Sequence, residues 1–442
     1  MLAKRVVASL PSTGSVRVVC EGGGERHVVT SSDALAHDLV VAGLLADTDY
    51  ACEIGVTEDG GEASTVILST RTGSLPTGIP TMVLGGAAPE QSAGAYTLFN
   101  QFVDGIDALD QRLLVVDAQA RVRWYYELGI DIAGDVDARY LGEGRVLWGG
   151  GYGGTPTIVD LAGETHYVAP PSSTLGNYHH HAELTDAGTL LSLVVETVEG
   201  SDGETWTGYA IDERDVETND LLWTWSTQAA LDRGDLPVGT PGTDPYHGNW
   251  AWKTADAVYT SLRGQHEVLK LDPDTGAVVW RLGYTGDFEL LWPDGTAAPV
   301  EEWFYTQHAP EFDGDRVLIY DNGTSRPTAA NYSRVVELEL DEEAMTATVL
   351  WSWTEDPWQE PIWGDADRVG DGHVLIALGH CDDCSWTLED GRSALIELDV
   401  EAGEVVWRID FPDVTDGLYR AERLDACAIF GNATLCPGLE VE

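Results

Sequence analysis

Basic residues are scarce. Lysine occurs only at positions 4, 253 and 270, and Lys and Arg together number 24 against 75 Asp and Glu, for a formal charge of −51. Nucleic acid is disfavoured as a partner, and so are anionic membranes, because binding to either needs clustered Lys and Arg. An anionic ligand has to be drawn in by a local positive site against the overall field. No stretch approaches the ~18 apolar residues of a membrane span, so no membrane insertion is expected. The opening MLAKRVVASLPSTG lacks the apolar run of an export signal. Cysteine is also sparse, at 20, 52, 381, 384, 427 and 436, in three local pairs. Such pairs suit an oxidising compartment; CDDC at 381–384 reads as a loop disulfide, since no second CxxC would complete a zinc site. We therefore expect an extracytoplasmic protein, periplasmic or secreted, whose export signal is not in this sequence.

What is present is a globular composition, 43% hydrophobic and 9% aromatic, over 442 residues. That length exceeds one ordinary core and predicts two domains or one large repetitive one. Residues 4–75 carry short alternating runs such as GSVRVVC and DYACEIGVTE between Gly, Ser and Asp turns. They predict a small β-sandwich of fibronectin III or immunoglobulin type, with Tyr50 as the corner tyrosine before Cys52. The Gly/Pro-spaced GSLPTGIPT opens a linker placed at 76–90.

Beyond it a hairpin recurs six times: LLVVDAQARVRWYY, PTIVDLAGETHYV, YAIDERDVETNDLLWTW, VLKLDPDTGAVVWRL, VVELELDEEAMTATVLWSW and ALIELDVEAGEVVWRI. Six copies of an alternating strand, an Asp/Gly/Thr turn and a Trp-rich strand predict a six-bladed β-propeller over residues 91–442. The fold class is thus all-β.

Short frames follow these hairpins: HHHAEL (179–184), YHGNWA (246–251), QHAPEF (307–312), GDADRV (364–369) and YRAERL (419–424), with DVDARY (135–140) in the first blade. Read as innermost strands, they place their second residues on one face: His180, His247, His308, Asp365 and Arg420, with Val136 in the first. His179 and His181 are expected on the other face or in neighbouring turns. Three imidazoles in matching frames are not what core packing selects. They could ligate zinc with Asp365, but Arg263 and the pair Asp321 and Asn322, expected at the ends of innermost strands, favour an oxyanion over a cation.

The set HHHAELTDAGTLL, YHGNW with VYTSLR, LDPDTGAVVWRLG, and TQHAPEF with LIYDNG and SR resembles the PAPS-independent arylsulfate sulfotransferases. It departs from them at His181 and Ala309, where an Asp is expected. The resemblance implies a six-bladed propeller behind a β-sandwich, no cofactor, and aryl sulfate and phenol as small-molecule partners. It implies His308 as the sulfate-accepting residue, with His180, His247, Asn249 and Arg263 around it. The chemistry suits those residues. A neutral imidazole at His308 can attack sulfur, Arg263, His180 and Asn249 can hold the oxygens, and His247 can shuttle the phenol proton. Trp250, Phe304 and Tyr305 are candidate stacking partners for the aryl ring. Asp365, Arg420, Asn322 and His179 complete the substrate-binding candidates. Two other classes stay open: a non-catalytic binder of anionic ligands, and a metal-dependent hydrolase or lactonase on the same scaffold. A homodimer is compatible with either.

Overall fold

The computed structural model describes residues 2–58, 64–88, 92, 95–103, 111–129, 133–152, 154–172, 177–200, 203–239, 243–327, 330–355, 358–370, 372–379, 393–412 and 416–436. Cys381 and Cys384 lie outside them. Almost all the described secondary structure is antiparallel sheet, with only two short α-helices, Thr227–Arg233 and Ala426–Ile429, among the described residues.

Each hairpin seen in the sequence supplies the third and fourth strands of a sheet. Five sheets run in chain order from a first strand at Ala133–Gly142, Tyr178–Leu184, Gly248–Lys253, His308–Asp313 or Asp365–Gly370. The sixth is built from both ends of the region, with Ala421–Asp425 paired to Ala95–Val103, followed by Arg112–Asp117 and Val122–Glu127. The first strands of successive sheets touch in order, and Ala421–Asp425 meets Ala133–Gly142 to close the circle.

Local chemistry shapes each hairpin. At 272–276 the Asp272 carboxylate accepts from the N–H groups of Asp274 and Thr275 at 3.2 and 2.7 Å. Gly276 takes φ 68°, so the turn is preset and Val268 falls opposite Leu282. The recurrent Trp residues knit sheet to sheet. Trp124 and Trp407 are at most 1% exposed, and their indoles donate to Leu161 O at 3.0 Å and Ala118 O at 2.9 Å in the turns of adjacent sheets. Burying such a side chain is worth roughly 2–3 kcal/mol.

The N-terminal segment forms one four-stranded sheet in the order Glu25–Val41, Lys4–Gly22, Asp49–Glu58, Ser64–Arg71. Its core gathers Val16, Val18, Leu39, Val41 and Leu44 around Cys20–Cys52, a disulfide between directly paired strands. Among the described residues all four strands of this segment belong to that one sheet. Tyr50 accepts a hydrogen bond at its hydroxyl from Leu45 N–H, 2.9 Å away. The linker is not free chain, since Val83–Gly85 adds as an edge strand to Glu404–Phe411. Past the closing strand, the Cys427–Cys436 loop returns to the N-terminal sheet. Val28 N–H donates to Gly431 O at 2.8 Å there, and Arg123 reaches back to Gly43 O and Glu25.

Candidate active site

Three first strands begin irregularly at their histidines. His180 and His247 take φ of 55° and 44°, and Ala309, next to His308, takes 41°. The strand register slips between Tyr178 and Ala182, Gly248 and Trp250, and His308 and Glu311. Non-glycine residues in the left-handed region are costly and persist only where the surroundings impose them. Gly150 shows how tightly this is imposed: a Cβ there would lie 2.3 Å from His180 O.

The consequence is a compact imidazole cluster. His180 Nε2 and His247 Nε2 are 3.1 Å apart, and the His179 ring lies 3.9 Å from that of His180 and 5.6 Å from that of His247. Tyr419, 1% exposed, wedges between the cluster and His308: its ring stacks on His180 at 5.5 Å and meets His308 edge-on at 6.1 Å. His247 is the member open to solvent, with 22% of its side chain exposed. Its Nδ1 sits 2.7 Å from Asp244 Oδ2, which also accepts from Tyr209 OH at 2.8 Å. Burial, the largest single influence, would raise Asp244, but the hydrogen bonds and charge of His247 and the Tyr209 hydrogen bond together outweigh it and hold the carboxyl below its usual range.

His308 is oriented from behind. Asn322 donates both amide hydrogens, to Glu360 O at 2.9 Å and Trp363 O at 2.8 Å. Its Oδ1 must therefore be the atom 2.7 Å from His308 Nδ1. The His308 proton is thereby assigned to Nδ1, and Nε2 carries the lone pair. Burial first, then the Arg263 guanidinium, depress the His308 pKa well below the imidazole range, against the Asn322 hydrogen bond. The ring is neutral. His180 is depressed in the same way by burial and the adjacent imidazoles, and His179 falls to about 4. Arg263 is anchored by donation to Pro361 O at 2.8 Å, and its own N–H donates to His247 O at 3.0 Å. Asn249 donates to Gln307 O at 2.8 Å while its Oδ1 has no hydrogen-bond partner among the described residues.

The arrangement is a neutral imidazole with a free Nε2, a guanidinium, a side-chain amide and a carboxylate-backed imidazole around one small region. A family model described as Arylsulfotransferase (ASST) matches residues 96–420. The chain belongs to the arylsulfotransferase family. No curated protein matches it. Among solved structures it is similar to a putative 6-phosphogluconolactonase from Bacteroides fragilis, at 10% identity over 76% of this chain and 99% of that one, TM-score 0.39. It is also similar to the periplasmic gluconolactonase of Pseudomonas aeruginosa, at 12% identity over 75% and 99% of the two chains, TM-score 0.38. A third is Citrobacter koseri AztD, at 9% identity over 93% and 98%, TM-score 0.28.

Of the residues singled out from the family motifs, His180, His247, His308, Arg263 and Asn322 converge, with His179 joined to them and Asn249 beside His308. Several placements differ from strict alternation. His179 lies with His180 rather than on the opposite face, because the left-handed turn at His180 cancels the alternation. Arg263, Asp321 and Asn322 end second strands, Val258–Leu262 and Arg316–Asp321, not innermost ones. Trp250 faces away from the cluster, toward His181, Trp252 and Phe312. Tyr305 packs on His266 and Tyr284, and Phe304 is core. Arg420 points to Asp137 and His181, at 2.8 Å from each, and donates to Asn249 O at 3.0 Å. Asp365 accepts from Ala421 N–H at 3.2 Å on the far side of that network.

Asp244, Tyr419 and Asp137 were not anticipated. Asp244 had a signal, the spacing Asp-x-x-His in DPYH. In the first sheet the ionisable group is Asp137, one residue past Val136, which is core. Among the described residues no group of three or more His, Cys, Asp or Glu is arranged to hold a metal ion.

Proposed function

We propose that this protein moves a sulfuryl group from an aryl sulfate to a phenol through a sulfohistidine at His308. The observation that carries the reading is the tautomer: Asn322 fixes the proton on Nδ1, so Nε2 presents its lone pair from a ring that burial keeps neutral. In the first half-reaction Nε2 attacks sulfur, the bond from sulfur to the aryl oxygen breaks, and the leaving phenolate takes a proton from His247. In the second, His247 removes the proton of the acceptor phenol. The phenolate oxygen then attacks sulfur, and the N–S bond breaks. Arg263 and Asn249 meet the sulfuryl oxygens as charge spreads over them, and Asp244 steadies His247 through both proton transfers.

The scaffold reading goes with it. The closed circle of six sheets supports a six-bladed β-propeller over residues 91–442, and the Tyr50 to Leu45 bond is what a fibronectin III-like domain over residues 1–75 would have at its corner. The two disulfides among the described residues suit an extracytoplasmic site of action.

The test is intact-protein mass after brief exposure to p-nitrophenyl sulfate. An adduct of about 80 daltons, formed with nitrophenolate release, absent from His308→Ala and removed by phenol, is the expected result. Nitrophenolate release without adduct, or an adduct retained in His308→Ala, would sink the proposal.

A further inference from the structure

One short segment holds two groups of the site at once. In residues 359–364, QEPIWG, Glu360 O and Trp363 O accept from the Asn322 amide at 2.9 and 2.8 Å, and Pro361 O accepts from Arg263 at 2.8 Å. Asn322 in turn takes the His308 Nδ1 proton at 2.7 Å. A shift of this segment therefore disturbs the Nε2 lone pair and the guanidinium together.

The backbone of the segment is met by neutral groups. Ser333 Oγ accepts from Glu360 N–H at 2.7 Å and has one proton to give, with Asn322 O at 2.9 Å and Glu360 O at 3.3 Å. Gln359 Nε2 donates to Asn322 O at 3.2 Å.

The Glu360 side chain makes a different contact. It is 5% exposed and accepts from the hydroxyl of Tyr320, which is 0% exposed and pairs opposite His308. Burial pushes the Glu360 carboxyl well above its usual range against that hydrogen bond, so the group is an uncharged acid. The segment closes on the same ring at Gly364. At φ 100°, a Cβ there would lie 2.1 Å from Tyr320 Cζ. Tyr320 thus meets the segment through a hydrogen bond at Glu360 and through close packing at Gly364. Breaking a buried polar pair is costly, because the member left behind has no water to turn to.

We propose that Glu360 is a positioning residue: bonded to Tyr320, its side chain sets the 359–364 segment so that the His308 lone pair and the Arg263 guanidinium are aimed together. Its effect on turnover rests on the sulfotransfer reading; its effect on the His308 tautomer does not. The experiment compares Tyr320→Phe, Glu360→Leu, the double variant and Glu360→Gln in the full chain. It reads single-turnover release of nitrophenolate from p-nitrophenyl sulfate. It also reads the nitrogen NMR shifts of the His308 ring, assigned by difference from His308→Ala, which report the tautomer without turnover. Tyr320→Phe keeps the ring against Gly364 and removes only the hydroxyl. Release should slow about tenfold, and the Nδ1-protonated form should give way to a mixture of tautomers. Glu360→Leu should match it, and the double variant should be less than about twofold slower than either, because the two side chains act as one unit. Glu360→Gln keeps an acceptor for the phenol and should stay within about threefold of the parent. Tyr320→Phe and Glu360→Gln keep the test decisive should Glu360→Leu not fold. A Tyr320→Phe protein with the parental tautomer and release, multiplicative losses in the double variant, or a Glu360→Gln protein as slow as Tyr320→Phe would each overturn the proposal. A parent that releases no nitrophenolate would sink the sulfotransfer reading instead, and the tautomer measurement would still decide this one.

Discussion

Replacing Asn322 by Leu tests the reaction at its most specific point. The side chains are nearly equal in size, but Leu cannot accept the His308 Nδ1 proton that Asn322 Oδ1 takes at 2.7 Å. A buried donor left without an acceptor costs about 1–3 kcal/mol, and the ring escapes that cost by moving its proton to Nε2, where the lone pair is needed. At 1.4 kcal/mol per tenfold, the reactive tautomer falls roughly 5- to 150-fold in population. Single-turnover release of nitrophenolate from p-nitrophenyl sulfate should slow by that factor, while the adduct still forms to completion. Leu also drops the bonds to Glu360 O and Trp363 O, so Ser333→Ala is the control. Ser333 Oγ donates to Asn322 O at 2.9 Å and accepts from Glu360 N–H at 2.7 Å. Its loss loosens the same loop without touching the amide and should cost less than about threefold. A folded Asn322→Leu protein that is sulfated at the parental rate would refute the tautomer argument and remove the main support for His308 as nucleophile.

Three further outcomes follow from other parts of the structure. Asp244→Asn keeps the contact to His247 Nδ1 at 2.7 Å but not the charge. Turnover should fall about 10- to 100-fold, most for donors whose phenols are the poorest leaving groups, as a series of substituted aryl sulfates would report. Gly150→Ala forces a Cβ to within 2.3 Å of His180 O at φ 83°; a loss of stability of about 2 kcal/mol or more in urea denaturation, with activity lost in step, is expected. Stability should also peak at mildly acid pH in thermal melts. His179 and His266, held near 4 by burial, exclude protons that the unfolded chain takes up below 6.5, so stability drops as pH falls from 6.5 toward 4. Asp365, raised to about 8, and Glu311 and Glu422, raised to about 7, all by burial, act the other way. The folded protein keeps protons the unfolded chain has already released, so stability also drops as pH rises from about 4 toward 8. Glu422→Gln should flatten that alkaline limb, and an unchanged limb would show that Glu422 is ionised in the fold.

The hairpins were legible because strand pairing is a local matter. Alternation places Val268 and Leu282 on one side, and the Asp272 and Gly276 turn sets their register before any tertiary contact exists. The same holds for the six-fold repeat and for which frames carry histidine. The alternation argument then failed at the histidines themselves. His179 and His180 share a site, and Trp250 turns away from it, because left-handed residues at His180, His247 and Ala309 interrupt the strands where the site is built.

The sequence by itself determined the β class, the repeated unit, the acid surface and the residue types of the site, since each depends on composition or on neighbours within a few positions. Only the tertiary structure decided which of those residues meet. Tyr419 between His180 and His308 joins positions 239 residues apart, and the bond from Arg420 to Asp137 joins positions 283 apart. Such contacts arise when the circle of sheets closes through Ala421–Asp425 and Ala95–Val103, and a one-dimensional pattern carries no record of that closure.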